Sequence, residues 1–183
     1  VRNMLIENGG VQPSNTPTAT PSTQPSPSPT PTLSSPSPSI APSPSPSAGS
    51  VIVFNPIDDA YVDIVNPATV YGSSTELKIK SESEETFLKF NVSGLTGTIQ
   101  SAKLKLYFDY GTNKNCFLYQ IANNTWSEST LTWNNRPAVG TEITSVNNGA
   151  TVPVWVEFDV ASYITGNGAY SLKLTTSSGS RAK

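Results

Sequence analysis

The sequence contains no histidine, and its 183 residues include a single cysteine, Cys116. Without histidine, the chain lacks the commonest general base and the commonest transition-metal ligand of proteins. A single cysteine excludes an internal disulfide and a thiolate zinc site. Because Cys116 lies in the strand-like run 115–119, we interpret it as a small buried apolar side chain. A nucleophilic cysteine would need a base that the chain does not offer.

Charge and long apolar runs are also scarce. Charged residues make up 13% of the chain and the formal net charge is −2, a balance that does not indicate a nucleic-acid partner. No apolar run approaches the ~20 residues that a helix needs to cross a bilayer, and no secretory signal is visible. Residues 1–10 lack both a start methionine and a long apolar stretch. We interpret them as the tail of a preceding element.

Residues 11–50 are dominated by proline, serine and threonine. Between Gln12 and Ser50, thirty of thirty-nine residues are of these three types, so there is too little apolar surface to offset the entropy of ordering. The composition predicts a disordered linker that favours polyproline II. Such linkers are common between modules of extracellular polysaccharide-degrading systems. We therefore expect a bacterial-type protein that is secreted or displayed at the cell surface, although any disordered spacer would share this composition.

Strand patterns dominate from Val51 to Lys183. In Ala102–Asp109, apolar residues alternate with polar ones, which is the period of a half-buried antiparallel strand. Similar runs occur at 77–80, 86–90, 154–159 and 170–174. Polar turns separate them, and no long amphipathic helix is visible. The pattern predicts an all-β fold, an antiparallel, jelly-roll-like β-sandwich over residues 51–183.

Several of these segments occur in an order that is similar to a known family. They are Asp59-Ala-Tyr-Val62, Tyr71-Gly72, Leu77-Lys-Ile-Lys80, Phe87-Leu-Lys-Phe90, Trp126-Ser-Glu128, Leu131-Thr-Trp-Asn-Asn-Arg-Pro137 and Trp155-Val-Glu-Phe-Asp-Val160. This order resembles the DNRLRE domain, also classed as carbohydrate-binding module family 96. The resemblance implies a β-sandwich that occurs beside polysaccharide lyases, glycoside hydrolases and other secreted proteins. Some members bind alginate-like acidic polysaccharides, and many have no assigned ligand.

The sequence also departs from the family pattern. Glu84-Glu85 stands where basic residues are frequent in the family, which weakens the transfer of acidic-glycan specificity. The family pattern continues with one more strand after the segment that ends here at Lys183. We therefore expect a module truncated at its C-terminal strand and a parent protein that continues with a β-rich segment.

The candidate binding residues are outward-facing lysines and aromatics, on the assumption that their strands are neighbours. They are Lys78, Lys80, Lys89, Lys103, Lys105, Tyr107, Trp155 and, less directly, Lys173. A flat cationic surface with an aromatic ring suits an extended carboxylated polysaccharide. The alternative is a solvated sheet face whose lysines prevent edge pairing. Trp155 either stacks on a sugar or closes one end of the sandwich, whereas we expect Trp126 and Trp133 to anchor the core or a loop.

Acidic residues raise two further hypotheses. Asp58, Asp59 and Asp63 lie close in sequence and Asp159 could join them, so a structural calcium ion is the one cofactor suggested; the alternative is turn carboxylates in water. A glycoside hydrolase would need two carboxylates at a defined separation. The candidates are Glu128, Glu142, Glu157 and Asp159, and nothing in the sequence places any pair at that separation.

Taken together, these patterns predict a non-catalytic polysaccharide-binding module within a multimodular protein. We expect a monomer, tethered to other modules and not inserted in a membrane, that binds an acidic or a plant or algal cell-wall polysaccharide. The alternative is a structural spacer or adhesion module without a glycan ligand. A glycoside hydrolase or lyase is less favoured.

Overall fold

The computed structural model describes residues 2–8 and 50–183, and the predicted linker therefore lies, except for Ser50, outside the described residues. The described part contains nine strands: β1 Arg2–Asn8, β2 Ser50–Phe54, β3 Asp58–Asp63, β4 Glu84–Val92, β5 Ile99–Phe108, β6 Asn115–Ile121, β7 Glu142–Asn147, β8 Val154–Asp159 and β9 Gly168–Thr176. Within these residues no helix has the length and hydropathy needed to cross a membrane.

The strands form two antiparallel sheets. The first sheet has the order β2-β1-β5-β8 and the second the order β3-β4-β9-β6-β7, and every pairing between neighbouring strands is antiparallel. The predicted all-β sandwich is therefore confirmed. Because sequential strands such as β2 and β3 lie in different sheets, the chain crosses repeatedly from one sheet to the other.

The main core lies between the two sheets. The alternation predicted for β5 is confirmed, since Ala102, Leu104 and Phe108 are buried. They pack in one cluster with residues of the second sheet such as Leu88 and Phe90. Burial of these side chains stabilises the folded state by about 25 cal/mol for each Å² of apolar surface removed from water. Cys116 belongs to the same cluster and is fully buried. Burial raises the pKa of its thiol to about 12, as expected for a side chain that packs and does not react.

A second apolar cluster lies on the outer side of the second sheet. There, residues 122–137, here called the covering segment, place Trp126 against Phe87 with ring centroids 6.1 Å apart. The indole Nε1 donates to Ser171 Oγ at 3.0 Å. Leu131 is buried in the same cluster and Trp133 packs against it. The expectation that Trp126 and Trp133 anchor the core or a loop is confirmed.

The N-terminal segment is not where the sequence placed it. We expected residues 1–10 to be the tail of a separate element and the folded unit to begin at Val51, but Arg2–Asn8 is an inner strand between β2 and β5. Met4 and Ile6 point into the main core and are fully buried. The physical reason is tertiary, because the pairing of β1 with β2 and β5 joins residues that are far apart in the chain. Ser50, assigned to the linker, is the first residue of β2.

The last residues are held by backbone hydrogen bonds. Ala182 forms an antiparallel bridge with Ile79, and the carbonyl of Lys183 accepts from the N–H of Asp109 at 3.0 Å. The Lys183 ammonium pairs with the Glu76 carboxylate at 2.7 Å. These contacts position the segment after β9, and continuation of the parent protein past Lys183 stays a prediction.

Candidate functional site

The outward side of the first sheet carries two exposed aromatic rings. Tyr107 on β5 is directly opposite Trp155 on β8, and their ring centroids lie 5.2 Å apart at an interplanar angle of 56°. The exposed fractions are 42% for Tyr107 and 45% for Trp155. Alternation along both strands turns these rings away from the core. Trp155 is therefore exposed on the outer surface of the sheet, and its stacking on a sugar stays a prediction.

Aliphatic side chains extend this surface across the sheet. Leu5 on β1 is opposite both Val53 on β2 and Lys103 on β5, and a shallow hollow is lined by Leu5, Val53, Lys105 and Trp155. The Lys105 ammonium lies 5.9 Å from the centre of a Trp155 ring. We call this surface the aromatic face; it consists of Leu5, Val53, Lys103, Lys105, Tyr107, Trp155 and Glu157.

The aromatic face is not strongly cationic. Glu157 accepts from both Lys103 at 3.0 Å and Lys105 at 3.1 Å, and these hydrogen bonds lower the pKa of the Glu157 carboxyl. The hydrogen bond from Lys103 to Glu157 in turn raises the pKa of Lys103. Glu7 and Asp159 are also exposed on this side of the sheet. Two lysines thus face three carboxylates, so the expected flat positive surface is absent from the described part of the sheet.

The other candidate lysines are not on this face. Lys89 and Lys173 lie in the second sheet, each 8% exposed, where Lys89 pairs with Asp58 at 2.7 Å and Lys173 with Glu85 at 2.6 Å. Lys78 donates to the Tyr61 hydroxyl at 3.2 Å, and Lys80 lies in the same segment before β4. The predicted single lysine face is therefore wrong, because strand order separates residues that alternation alone placed outward.

The four aspartates proposed as calcium ligands are not brought together. Asp58 binds Lys89, Asp59 pairs with Arg2, and Asp63 accepts from the backbone N–H of Val65 at 2.8 Å. Asp159 lies at the end of β8, in the other sheet, and accepts from Ala161. Among the described residues, no three acidic, histidine or cysteine side chains form a group that could hold a metal ion. This corrects the predicted grouping.

The carboxylates considered for a hydrolase are divided between the covering segment, β7 and β8. The Glu128 carboxylate accepts from the backbone N–H of Asp59 at 2.9 Å, which joins the covering segment to β3. Glu142 begins β7 in the second sheet, whereas Glu157 and Asp159 lie on β8 in the first. The structure assigns Glu128 and Glu157 to structural contacts.

Sequence reasoning missed the part of the aromatic face that comes from β1 and β2. Leu5 is half-buried on β1, which pairs with β5, and Val53 is exposed on β2, which pairs with β1. The signal was present in the alternation of buried Met4 and Ile6 with outward Leu5 and Glu7. It was overlooked because the proline-rich stretch separates this segment from the module.

Comparison with known proteins decides the family. The family model of carbohydrate-binding module family 96 matches residues 50–182. This chain belongs to that family. The module is also similar to a gellan lyase of Bacillus sp, with 32% identity over 126 residues. The match covers 64% of the chain but 5% of the lyase, so the chain spans only a small part of that relative's length.

Proposed function

We propose that this family 96 module is the non-catalytic polysaccharide-binding part of a secreted or cell-surface multimodular protein, and that it binds through the aromatic face. The observation that carries the proposal is the exposed Tyr107–Trp155 pair on a β-sheet surface. Sugar rings present apolar C–H faces, and an exposed indole or phenol ring can cover such a face at low entropic cost.

The surroundings of the pair favour an extended chain as ligand. Leu5, Val53 and the stem of Lys105 continue the aromatic face beside Trp155, so several consecutive sugars can lie on it. Lysine, glutamate and tyrosine side chains around the rings supply hydrogen-bond partners for hydroxyl groups. Because the surface is shallow, we expect modest affinity for one module and stronger retention when modules are tethered.

A non-catalytic role is supported by the state of the acidic residues. Glu157 is held between two lysines, and its lowered pKa makes it a poor general acid. Glu128 is committed to a backbone contact. A lyase or hydrolase activity of the parent protein would reside elsewhere in that protein. The name of the Bacillus relative makes gellan the first polymer to test.

The test is affinity electrophoresis of the chain against a panel of neutral and carboxylated polysaccharides that includes gellan. Trp155→Ala and Tyr107→Ala should each reduce retardation, with a loss of about 10-fold or more in affinity for a central aromatic anchor. Tyr110→Ala is the matched control, because Tyr110 is 55% exposed but lies beyond the end of β5.

The outcomes separate the candidate functions. Retardation that is lost in both face variants and retained in Tyr110→Ala supports the proposed site. Retardation by none of the polymers favours the spacer or adhesion role. Release of reducing or unsaturated ends by the purified chain would exclude a purely binding function.

A further inference from the structure

Strand β1 has an unusual relation to the rest of the module. It lies outside residues 50–182, which match the family, yet it occupies an inner position in the first sheet. Its last residue, Asn8, is directly opposite Ser50, the first residue of β2. Two neighbouring antiparallel strands need a connection of only two to five residues. Here residues 9–49 provide 41.

The contacts of β1 are those of an integral strand. It pairs with β5 from Arg2 to Asn8 and with β2 from Met4 to Asn8. Met4 and Ile6 are fully buried in the main core, and the Arg2 guanidinium pairs with Asp59 of the second sheet. β2 reaches the first sheet through β1, since β1 lies between β2 and β5.

The space between β2 and β5 is therefore an acceptor groove for one extended strand. It offers backbone hydrogen-bonding groups on both sides and core positions for apolar side chains at every second residue. Such main-chain pairing with alternate side-chain pockets is the general basis of strand addition between proteins. The groove selects a segment with the spacing of Met4 and Ile6.

The long connection removes the usual constraint on which molecule supplies that strand. A stretch of 41 residues can extend to at most about 140 Å, whereas Asn8 and Ser50 are adjacent. Every contact of β1 can thus be made equally by the same strand of another molecule, as in domain swapping. Because the strand of the same chain competes for the groove, exchange is favoured where modules are concentrated.

We propose that Arg2–Asn8 is an exchangeable donor strand and that the groove between β2 and β5 accepts the same strand from a second copy of this chain. Reciprocal exchange gives a two-fold dimer, and one-way exchange links copies in series. Since Leu5 belongs to the aromatic face, each module keeps a complete face after exchange. The proposal is independent of the ligand bound there.

Exchange can be trapped covalently. Leu5 and Lys103 are opposite each other across β1 and β5 and both point outward, and directly opposite residues have the Cα separation that a disulfide requires. One chain carries Leu5→Cys and a second, differently tagged chain carries Lys103→Cys. The chains are unfolded together, refolded at millimolar concentration and oxidised. Native Cys116 is fully buried and does not compete.

We expect a mixed disulfide between the two tagged chains and a species of twice the monomer mass by light scattering. Two controls define the background. Val139→Cys replaces Lys103→Cys as an exposed but unpaired position, and Ile6→Asp in the Leu5→Cys chain removes the donor's core contact. The mixed product should fall at least tenfold in both. A third pair, with residues 9–49 replaced by Asn-Gly in both chains, should remain monomeric.

Mixed disulfide no more abundant than in the Val139→Cys control would overturn the proposal, because β1 would then be fixed in its own module. A product that survives Ile6→Asp would overturn it as well, because random collision would explain the cross-link. A refolded sample that is monomeric at every concentration would lead to the same conclusion.

Discussion

Lys89 carries its charge into a nearly closed space beneath the covering segment. Its ammonium pairs with Asp58 at 2.7 Å, donates to the carbonyl of Trp126 and lies 5.0 Å from the Trp126 ring. Three partners thus compensate the loss of water around one charge. A buried ion pair is seldom a large net source of stability, but breaking one leaves an uncompensated charge.

Lys89→Ala should therefore destabilise the module strongly, because Asp58 loses its partner and the covering segment loses a contact. We expect a loss of about 3 kcal/mol in the free energy of unfolding, measured by urea denaturation. Lys103→Ala is the matched control; its side chain is 51% exposed, and such surface pairs contribute at most about 1 kcal/mol. Similar losses for the two variants would contradict the buried role of Lys89.

Asp58 also predicts how stability depends on pH. Burial raises the pKa of the Asp58 carboxyl. Hydrogen bonds from Lys89 and from the backbone N–H of Glu128 have the opposite and larger combined effect, so the pKa lies below the ordinary 3.8. A carboxyl whose pKa is lower in the folded state stabilises that state above pH 3.8, and this contribution is lost as pH falls through the folded-state pKa.

The melting temperature should consequently fall more steeply below about pH 4 in the unsubstituted chain than in Asp58→Asn, because the asparagine side chain does not titrate. Thermal melts between pH 2.5 and 6 measure the two slopes. Identical slopes would show that Asp58 does not contribute to the acid sensitivity of the fold.

At the scale of elements, the loop after β3 packs directly against the backbone of the covering segment. A Cβ added at Gly72 would lie 2.1 Å from the carbonyl oxygen of Glu128 and 2.5 Å from its carbonyl carbon. The Glu128 carboxylate accepts from the N–H of Asp59, and the Glu128 N–H donates to Asp58. The covering segment is thus held against β3 from both sides, and only glycine allows the loop to approach so closely.

Gly72→Ala should force these two backbones apart and weaken the hydrogen bonds that join Glu128 to β3. We expect a loss of about 2 kcal/mol or more, in the range for overpacking. Gly166→Ala is the control, since a Cβ at Gly166 meets nothing within 4 Å and should be neutral or slightly stabilising. Chemical denaturation of both variants gives the comparison; equal stabilities would mean that the loop shifts freely.

For the molecule as a whole, the charge balance of the aromatic face determines how binding should respond to salt. Lys103 and Lys105 share one glutamate, and exposed charges are screened over about 10 Å at 0.1 M salt. The face therefore offers little net attraction to a polyanion, and we expect recognition to depend on ring contacts more than on charge.

Affinity for the best polymer of the panel should change less than about threefold between 0.05 and 0.5 M salt, and Lys103→Ala should have a smaller effect than Trp155→Ala. Isothermal titration calorimetry at two salt concentrations is the measurement. A steep loss of affinity with salt, reproduced by Lys103→Ala or Lys105→Ala, would restore the original prediction that an acidic glycan is bound through lysines.

The sequence by itself determined the fold class, the buried position of Cys116 and the outward position of Tyr107 and Trp155. These follow from local alternation, and a strand's two faces are set by residue parity. Only the tertiary structure decided which outward residues share a surface. Lys89 and Lys105 have the same parity signal, yet strand order places one beneath the covering segment and the other beside Trp155. The same reason applies to the position of β1, because strand pairing depends on contacts between residues far apart in the chain. Local sequence therefore encodes neither the inner position of β1 nor the placement of Leu5 beside Val53.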